Sequence, residues 1–268
     1  MLSSVRETER RRDREKERRR DRERLHCIPP TNDLVRYHHQ HHHHHHLMSA
    51  HLLPWMDGVG IWYDASLLRV EGGEPGTMSI LARRAVVSGA LLARIPKSSC
   101  LTKNTTKIAG ILAAEGFSGG LGLVIAVWYE RGLGEGSVWA GYFRSMRSRE
   151  ALPIFWGEEA LGGLEGTEVS LEGIASDRRD IEEDYREHVL GLMGSYPGVF
   201  GEMSEAGRGL EAFREAASLV ASRAFGVDAE HGDGMVPLAD VFNHKVSRVQ
   251  LNDAWGVYGE EEEEEEEE

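Results

Sequence analysis

Asp233-Gly234-Met235-Val236-Pro237-Leu238-Ala239-Asp240-Val241-Phe242-Asn243-His244 is the stretch on which the reading of this chain turns. Its first half is a short apolar run opened by Gly234 and broken by Pro237, too short for a helix and too apolar for a surface loop. Its second half sets Asn243-His244, two hydrogen-bonding side chains, directly behind Val241-Phe242. Polar groups carried into an apolar setting need partners, so a buried Asn-His pair points to a structured site. Local shape alone also fits a plainer alternative, a buried strand followed by a capped turn.

Upstream of this stretch the pattern is helical. Leu210, Phe213, Ala217, Val220, Ala221 and Ala224 form one helical stripe, and Ile181, Tyr185, His188, Val189 and Leu192 form another that Gly194 and Pro197 stop. Leu121 to Trp128 is apolar almost throughout and predicts a buried helix. Further back the period changes. Met78, Ile80 and Ala82 alternate with Ser79 and Leu81 behind a Gly72–Gly76 turn signal, which predicts a strand. Val86-Val87 and Leu91 to Ile95, separated by Ser88-Gly89 and closed by Pro96, predict further short strands. Strands first, helices next and a strand again at Met235 make an α+β fold with a helical segment inserted between two parts of one β unit.

The ends of the 268-residue chain are not globular. Residues 6–24 alternate basic and acidic side chains with no apolar face, which reads as a solvated or disordered arm. The Arg10-Arg11-Arg12 and Arg18-Arg19-Arg20 clusters also admit a nuclear-targeting or RNA-contacting patch, although acids interrupt each of them. His38-His39 and the unbroken His41–His46 run are low-complexity sequence without the fixed geometry of a metal site, so metal storage ranks last among the readings. Residues 260–268 are all Glu and supply nine of the acidic charges behind the formal net charge of −14. The body between is only mildly acidic, and direct nucleic-acid binding is not expected of it. Two cysteines, Cys27 and Cys100, exclude a disulfide scaffold and a four-cysteine zinc site, and fit a reducing, intracellular compartment. No apolar run reaches the length of a membrane span.

Isolated polar residues add little. His188 falls on the core face of its helix and reads as a satisfied core histidine. His231, within Asp228–Asp233, has carboxylates around it but not the regular alternation of a calcium loop, so it reads as a polar surface turn. A Gly-x-Ser-x-Gly elbow, a phosphate-binding Gly-x-x-x-x-Gly-Lys loop and a His-Glu-x-x-His helix are all missing.

Five stretches, in order, resemble the SET-domain protein-lysine methyltransferases of the Rubisco large-subunit methyltransferase-like branch, which carries a helical insertion. Leu81–Arg84 through Gly89–Pro96 is similar to the family's opening strands. Ser137–Tyr142 and Leu152–Glu159 resemble the start of the insertion, with Leu164-Glu165-Gly166-Thr167 after them. Ala221-Ser222-Arg223-Ala224-Phe225 resembles the end of the last inserted helix, and Met235–His244 the cofactor signature. The resemblance spans residues 52–250, with the insertion at about 105–225, between an arm at 1–51 and an acidic tail at 251–268.

The resemblance implies S-adenosyl-L-methionine as cofactor and a protein lysine as substrate. It assigns Asn243, His244, Arg223, Asp240 and Met78 to cofactor binding; the catalytic residues stay unassigned and no metal is implied. For Arg223 the plainer alternative is an ion pair that ties the insertion to the SET core. For Asp240 it is the capping of a turn before Asn243. Thr77 and Ser79 stand where the family commonly has glycines, so side chains there narrow the pocket or redirect the backbone. The family also carries a tyrosine well downstream of Asn-His, whereas Tyr258 follows His244 closely. The expectation is therefore a SET domain incomplete at its C-terminus, monomeric, with impaired methyl transfer. Its rival is a non-catalytic SET-derived scaffold for protein partners. The basic clusters favour a nuclear address over the cytoplasm or chloroplast.

Overall fold

The computed structural model describes residues 52–72 and 78–242. Outside them lie the arm, the His tract, Thr77, Asn243, His244, Tyr258 and the Glu run.

Residues 52–58 form helix α1. β1 (Trp62–Tyr63) pairs antiparallel with β4 (Ala93–Arg94), and β2 (Leu68–Gly72) pairs with β3 (Met78–Ala82). In the second pair Gly72 stands opposite Met78 and Leu68 opposite Ala82. β3 follows the predicted alternation only in part, with Ile80 buried, Leu81 outward and Ala82 exposed as well.

Val86-Val87 corrects an expectation. Neither residue is in a strand, and Val87 is 77 % exposed. β-Branched side chains favour a pleated surface only where a neighbouring strand accepts them, and here the chain turns at Gly89 (φ +83°) before meeting one. Of the predicted Leu91–Ile95 strand, only Ala93–Arg94 pairs.

β5 (Leu101–Thr102), β6 (Ala224–Asp228) and β7 (Gly232–Met235) make a three-stranded sheet in the order β5-β7-β6. The middle strand leads into the Asp233–His244 stretch, sharing Asp233, Gly234 and Met235 with it. Met235 stands opposite Leu101 on one side and Ala224 on the other, and both Met235 and Leu101 are fully buried.

Between β5 and β6 the chain is helical. α2 (Ala109–Ala114) leads into α3 (Gly119–Gly132), whose Leu123, Ile125–Tyr129 and Gly132 are buried. The short α4 (Ala140–Phe143) and α5 (Glu158–Gly162) follow. α6 (Leu171–Asp184) is opened by Ser170, whose Oγ accepts the Gly173 N–H at 3.0 Å, a side-chain N-cap. It runs through one π-helical turn (Tyr185–Val189) into α7 (Leu190–Ser195), and Pro197 starts α8 (Pro197–Phe200). α9 (Leu210–Arg223) packs on α3 and passes straight into β6 without a loop.

Trp128 stacks on Phe200 (5.8 Å) and takes the edge of Phe213 (6.2 Å), so the α3, α8 and α9 faces share one aromatic cluster. Burying side chains of this size contributes about 1.5–3 kcal/mol each. Glu130 is the polar exception on α3. It is 1 % exposed and accepts hydrogen bonds from Thr106 Oγ1 (2.8 Å), the Lys107 N–H (2.8 Å) and Ser137 Oγ (2.7 Å). Three donors on one buried carboxylate fix the ends of the helix-connecting segments to α3. Among the described residues, no helix is long and apolar enough to cross a membrane.

Candidate functional site

β7 ends at Met235, and Pro237, which lacks an N–H, cannot extend its ladder. Leu238 then takes φ +71°, ψ −44°, near the γ-turn conformation that L-residues rarely adopt. It is the one non-glycine with positive φ among the described residues, and its side chain is fully buried. A residue held there costs of order 1–3 kcal/mol, which surrounding packing must offset. The reversal is closed by backbone carbonyls: the Asp240 N–H donates to Val236 O (3.1 Å), and Val241 N–H to Leu238 O (3.2 Å). Its product is a 3₁₀ turn, Ala239–Val241, that carries Asp240 into the interior.

The Asp240 side chain is 1 % exposed. Its Oδ2 accepts the Tyr142 hydroxyl at 2.7 Å and Arg223 Nη1 at 3.3 Å. Its Oδ1 is buried without a hydrogen-bond partner. Arg223, the last residue of α9, also donates from Nε to Glu150 Oε1 at 2.7 Å. Glu150 is itself held from α9, since its backbone N–H donates to Ser218 Oγ at 3.2 Å. Tyr142, on α4, lies stacked on Trp55 of α1 with ring centroids 5.6 Å apart. The neighbouring Gly141 makes that approach possible, because a Cβ there would fall 2.5 Å from Trp55 Cβ. β3 lies against the same 3₁₀ turn, and its Met78 packs partly buried against the common core.

Burial dominates the electrostatics. It pushes the Asp240 carboxyl up to about 6, against the opposing pull of Tyr142 and Arg223. Burial first and Asp240 second raise the Tyr142 phenol well above its ordinary value, so it stays a donor. Burial works against the Arg223 charge, and Asp240 with Glu150 outweighs it, holding the guanidinium above its usual range. With both carboxylates ionised, a single guanidinium leaves the group one negative charge in excess. A buried carboxylate oxygen without a partner is the natural contact of a cationic or N–H-bearing ligand.

The structure thus brings Arg223 and Asp240 together and lays the strand bearing Met78 beside them. Asn243 and His244 follow Asp240 in sequence but lie outside the described residues. The ion-pair alternative for Arg223 is observed, and it engages Asp240 itself. The Asp240 carboxylate reaches across the fold while backbone groups close the turn.

The sequence alone does not mark Tyr142 or Glu150 as site residues. Tyr142 sits in the Ser137–Tyr142 run, where the adjacent Gly141 is the only local sign of a close approach. His231 closes a turn, with its backbone N–H and ring Nδ1 both on Asp228 Oδ1 (2.7 and 2.8 Å), and Asp228 also pairs with Lys97. His188 meets the edge of Phe117 at 5.7 Å. Among the described residues, no three His, Cys, Asp or Glu side chains gather as metal ligands.

No family model matches the chain. It is 31 % identical over 212 residues to N-lysine methyltransferase setd6 of Xenopus laevis, covering 72 % of this chain and 46 % of that protein. Against N-lysine methyltransferase SETD6 of Bos taurus the figures are 30 % identity, 73 % of this chain and 46 % of the relative. Ribosomal lysine N-methyltransferase 3 of Saccharomyces cerevisiae is 29 % identical over 198 residues, covering 66 % and 36 %. The chain therefore spans less than half the length of these relatives. Among solved structures, the fold resembles the SET domain of LSMT bound to lysine and AdoHcy (TM-score 0.61, 20 % identity, 75 % of this chain and 44 % of that one). It also resembles Rubisco LSMT bound to sinefungin and monomethyllysine (TM-score 0.62, 19 % identity, 75 % and 45 %).

Proposed function

This chain belongs to the SET-domain family, in the branch of Rubisco large-subunit methyltransferase, and on that footing we propose that it forms the cofactor-binding part of an S-adenosylmethionine-dependent protein-lysine N-methyltransferase. The observation that carries the reading is the Asp240 carboxylate, buried with one oxygen unpartnered, clamped to Arg223 and three residues ahead of Asn243. S-adenosylmethionine, when bound, supplies an electrophilic methyl group next to a charged amino-acid end. A guanidinium and a carboxylate side by side complement the two charges of that end. Arg223, Asp240 and Met78 are the described residues that hold it, and Asn243 and His244 complete the site beyond them. Methyl transfer by in-line displacement leaves a protein chiefly the work of positioning, which suits a site built from packed, hydrogen-bonded side chains.

In this reading residues 52–250 are SET domain, the helical segment at about 105–225 is its insertion, and residues 1–51 and 251–268 flank it. The substrate is a lysine side chain of another protein, approached by a monomer, and the basic clusters of the arm suit a nuclear address. Isothermal titration of the protein with S-adenosylmethionine tests the reading. Saturable one-site binding is expected. Its absence across pH 6–9 would exclude the enzyme and leave the non-catalytic scaffold.

A further inference from the structure

Resting on that reading, we propose that Tyr142 is a positioning residue for the cofactor. From the inserted helical segment, its hydroxyl fixes Asp240 Oδ2 so that the partnerless Oδ1 is the oxygen left for the ligand. The geometry is specific. Tyr142 donates to Oδ2 at 2.7 Å, the shorter of the two contacts on that atom, while Arg223 Nη1 stands at 3.3 Å. The ring has no freedom to give the contact up. It is 1 % exposed, stacked on Trp55, and its neighbour Gly141 has no space for a Cβ against the same indole. Trp55 is in turn anchored by its Nε1, which donates to Val138 O at 2.7 Å.

The charged and titratable groups around Asp240 come from four directions. They are Tyr142 from α4, Arg223 from α9, Glu150 behind Arg223, and Cys100 near the Tyr142 hydroxyl, its thiol pushed up by burial. β3, which packs on the turn from the remaining side, contributes no charged side chain. Tyr142 is the only neutral side-chain donor on the carboxylate among the described residues. Its removal therefore leaves Arg223 as the one side chain opposing protonation, with the Asp240 backbone N–H a smaller contribution.

The test is the pH dependence of S-adenosylhomocysteine and S-adenosylmethionine binding, read by calorimetry from pH 5 to 9, in wild type and Tyr142→Phe. Phenylalanine keeps the stack on Trp55 and deletes only the donor. The expected result is about tenfold weaker binding at pH 7, as for a lost hydrogen bond to a charged group, with the acid limb of the profile moved to higher pH. A role in packing alone predicts equal weakening at every pH and an unmoved limb, which would overturn the proposal. Should Tyr142→Phe fail to fold, 3-fluorotyrosine at position 142 serves in its place. Its more acidic hydroxyl is expected to move the limb to lower pH, and an unshifted limb there would also overturn the proposal. Wild-type protein that binds neither ligand at any pH would remove the cofactor reading itself. Wild-type binding with an unaltered Tyr142→Phe profile would remove only the role of Tyr142.

Discussion

Gly234 faces Thr102 across the β5–β7 pairing so closely that a Cβ on the glycine would fall 2.7 Å from the threonine Cγ2. The Val227 Cγ2 and the Leu101 carbonyl oxygen close the same space at 3.1 and 3.2 Å. Gly234→Ala is therefore expected to lower the unfolding free energy by about 1–3 kcal/mol through overpacking. Urea denaturation measures it, and a variant as stable as wild type would show that the sheet is looser than its register implies.

Leu238 should invert an ordinary preference. At most positions alanine is more stabilising than glycine by about 0.4–1 kcal/mol, because glycine has more freedom to lose. At φ +71° the Cβ is the source of strain, so Leu238→Gly is expected to be the more stable of the two truncations by about 1 kcal/mol. Both fall below wild type, since each deletes a buried leucine side chain. Melting curves of the two variants side by side decide the point.

Glu130→Ala leaves the Thr106 hydroxyl, the Lys107 N–H and the Ser137 hydroxyl without their acceptor. At about 1 kcal/mol for each stranded donor, a loss of roughly 3 kcal/mol is expected. A loss under 1 kcal/mol in chemical denaturation would mean that water replaces the carboxylate without penalty.

Asp240 makes stability fall as pH rises. Its folded pKa of about 6 lies above the ordinary 3.8, so between those values the folded protein holds a proton that the unfolded chain releases. The stability it contributes is fully present below about pH 4 and is lost as pH passes through 6. At about 1.4 kcal/mol per pH unit this amounts to roughly 3 kcal/mol. Relative to Asp240→Asn, which cannot titrate, wild type should lose that much between pH 4 and 8. A difference between the two proteins that is constant with pH would contradict it.

Much of the fold could be read directly because periodicity reports on burial. The helix at Leu210–Arg223, the apolar run at Leu121–Trp128 and the strand at Met78–Ala82 all form where the pattern puts them, but the faces are shifted. α9 buries Phe213, Ala216 and Leu219, while Ala221 of the expected stripe is exposed and Ala224 opens β6; Ala82 of β3 faces out. Val86-Val87 misled because residue type speaks of strand preference, whereas a strand needs a partner that no local pattern supplies. At the site, Arg223 and Asp240 were legible through family motifs, seventeen positions apart. Tyr142 and Glu150 were not, since their meeting with those two residues depends on how α4 and α9 pack. Leu238 carried no signal either: leucine is an ordinary choice for a core, and nothing in its neighbours announces a left-handed turn.

The strand order β5-β7-β6 also has a kinetic side. β6 and β7 are joined by a tight turn and can zip together locally, as can the helices among themselves. Leu101, by contrast, must find Met235 from the far side of the entire helical span. That closure costs chain entropy before its contacts can repay it, and such steps are slow. The third strand is therefore expected to join last. Until it does, the open flank of β7 is an edge exposed to strand-pairing with other chains, a hazard that falls during synthesis rather than in the finished protein.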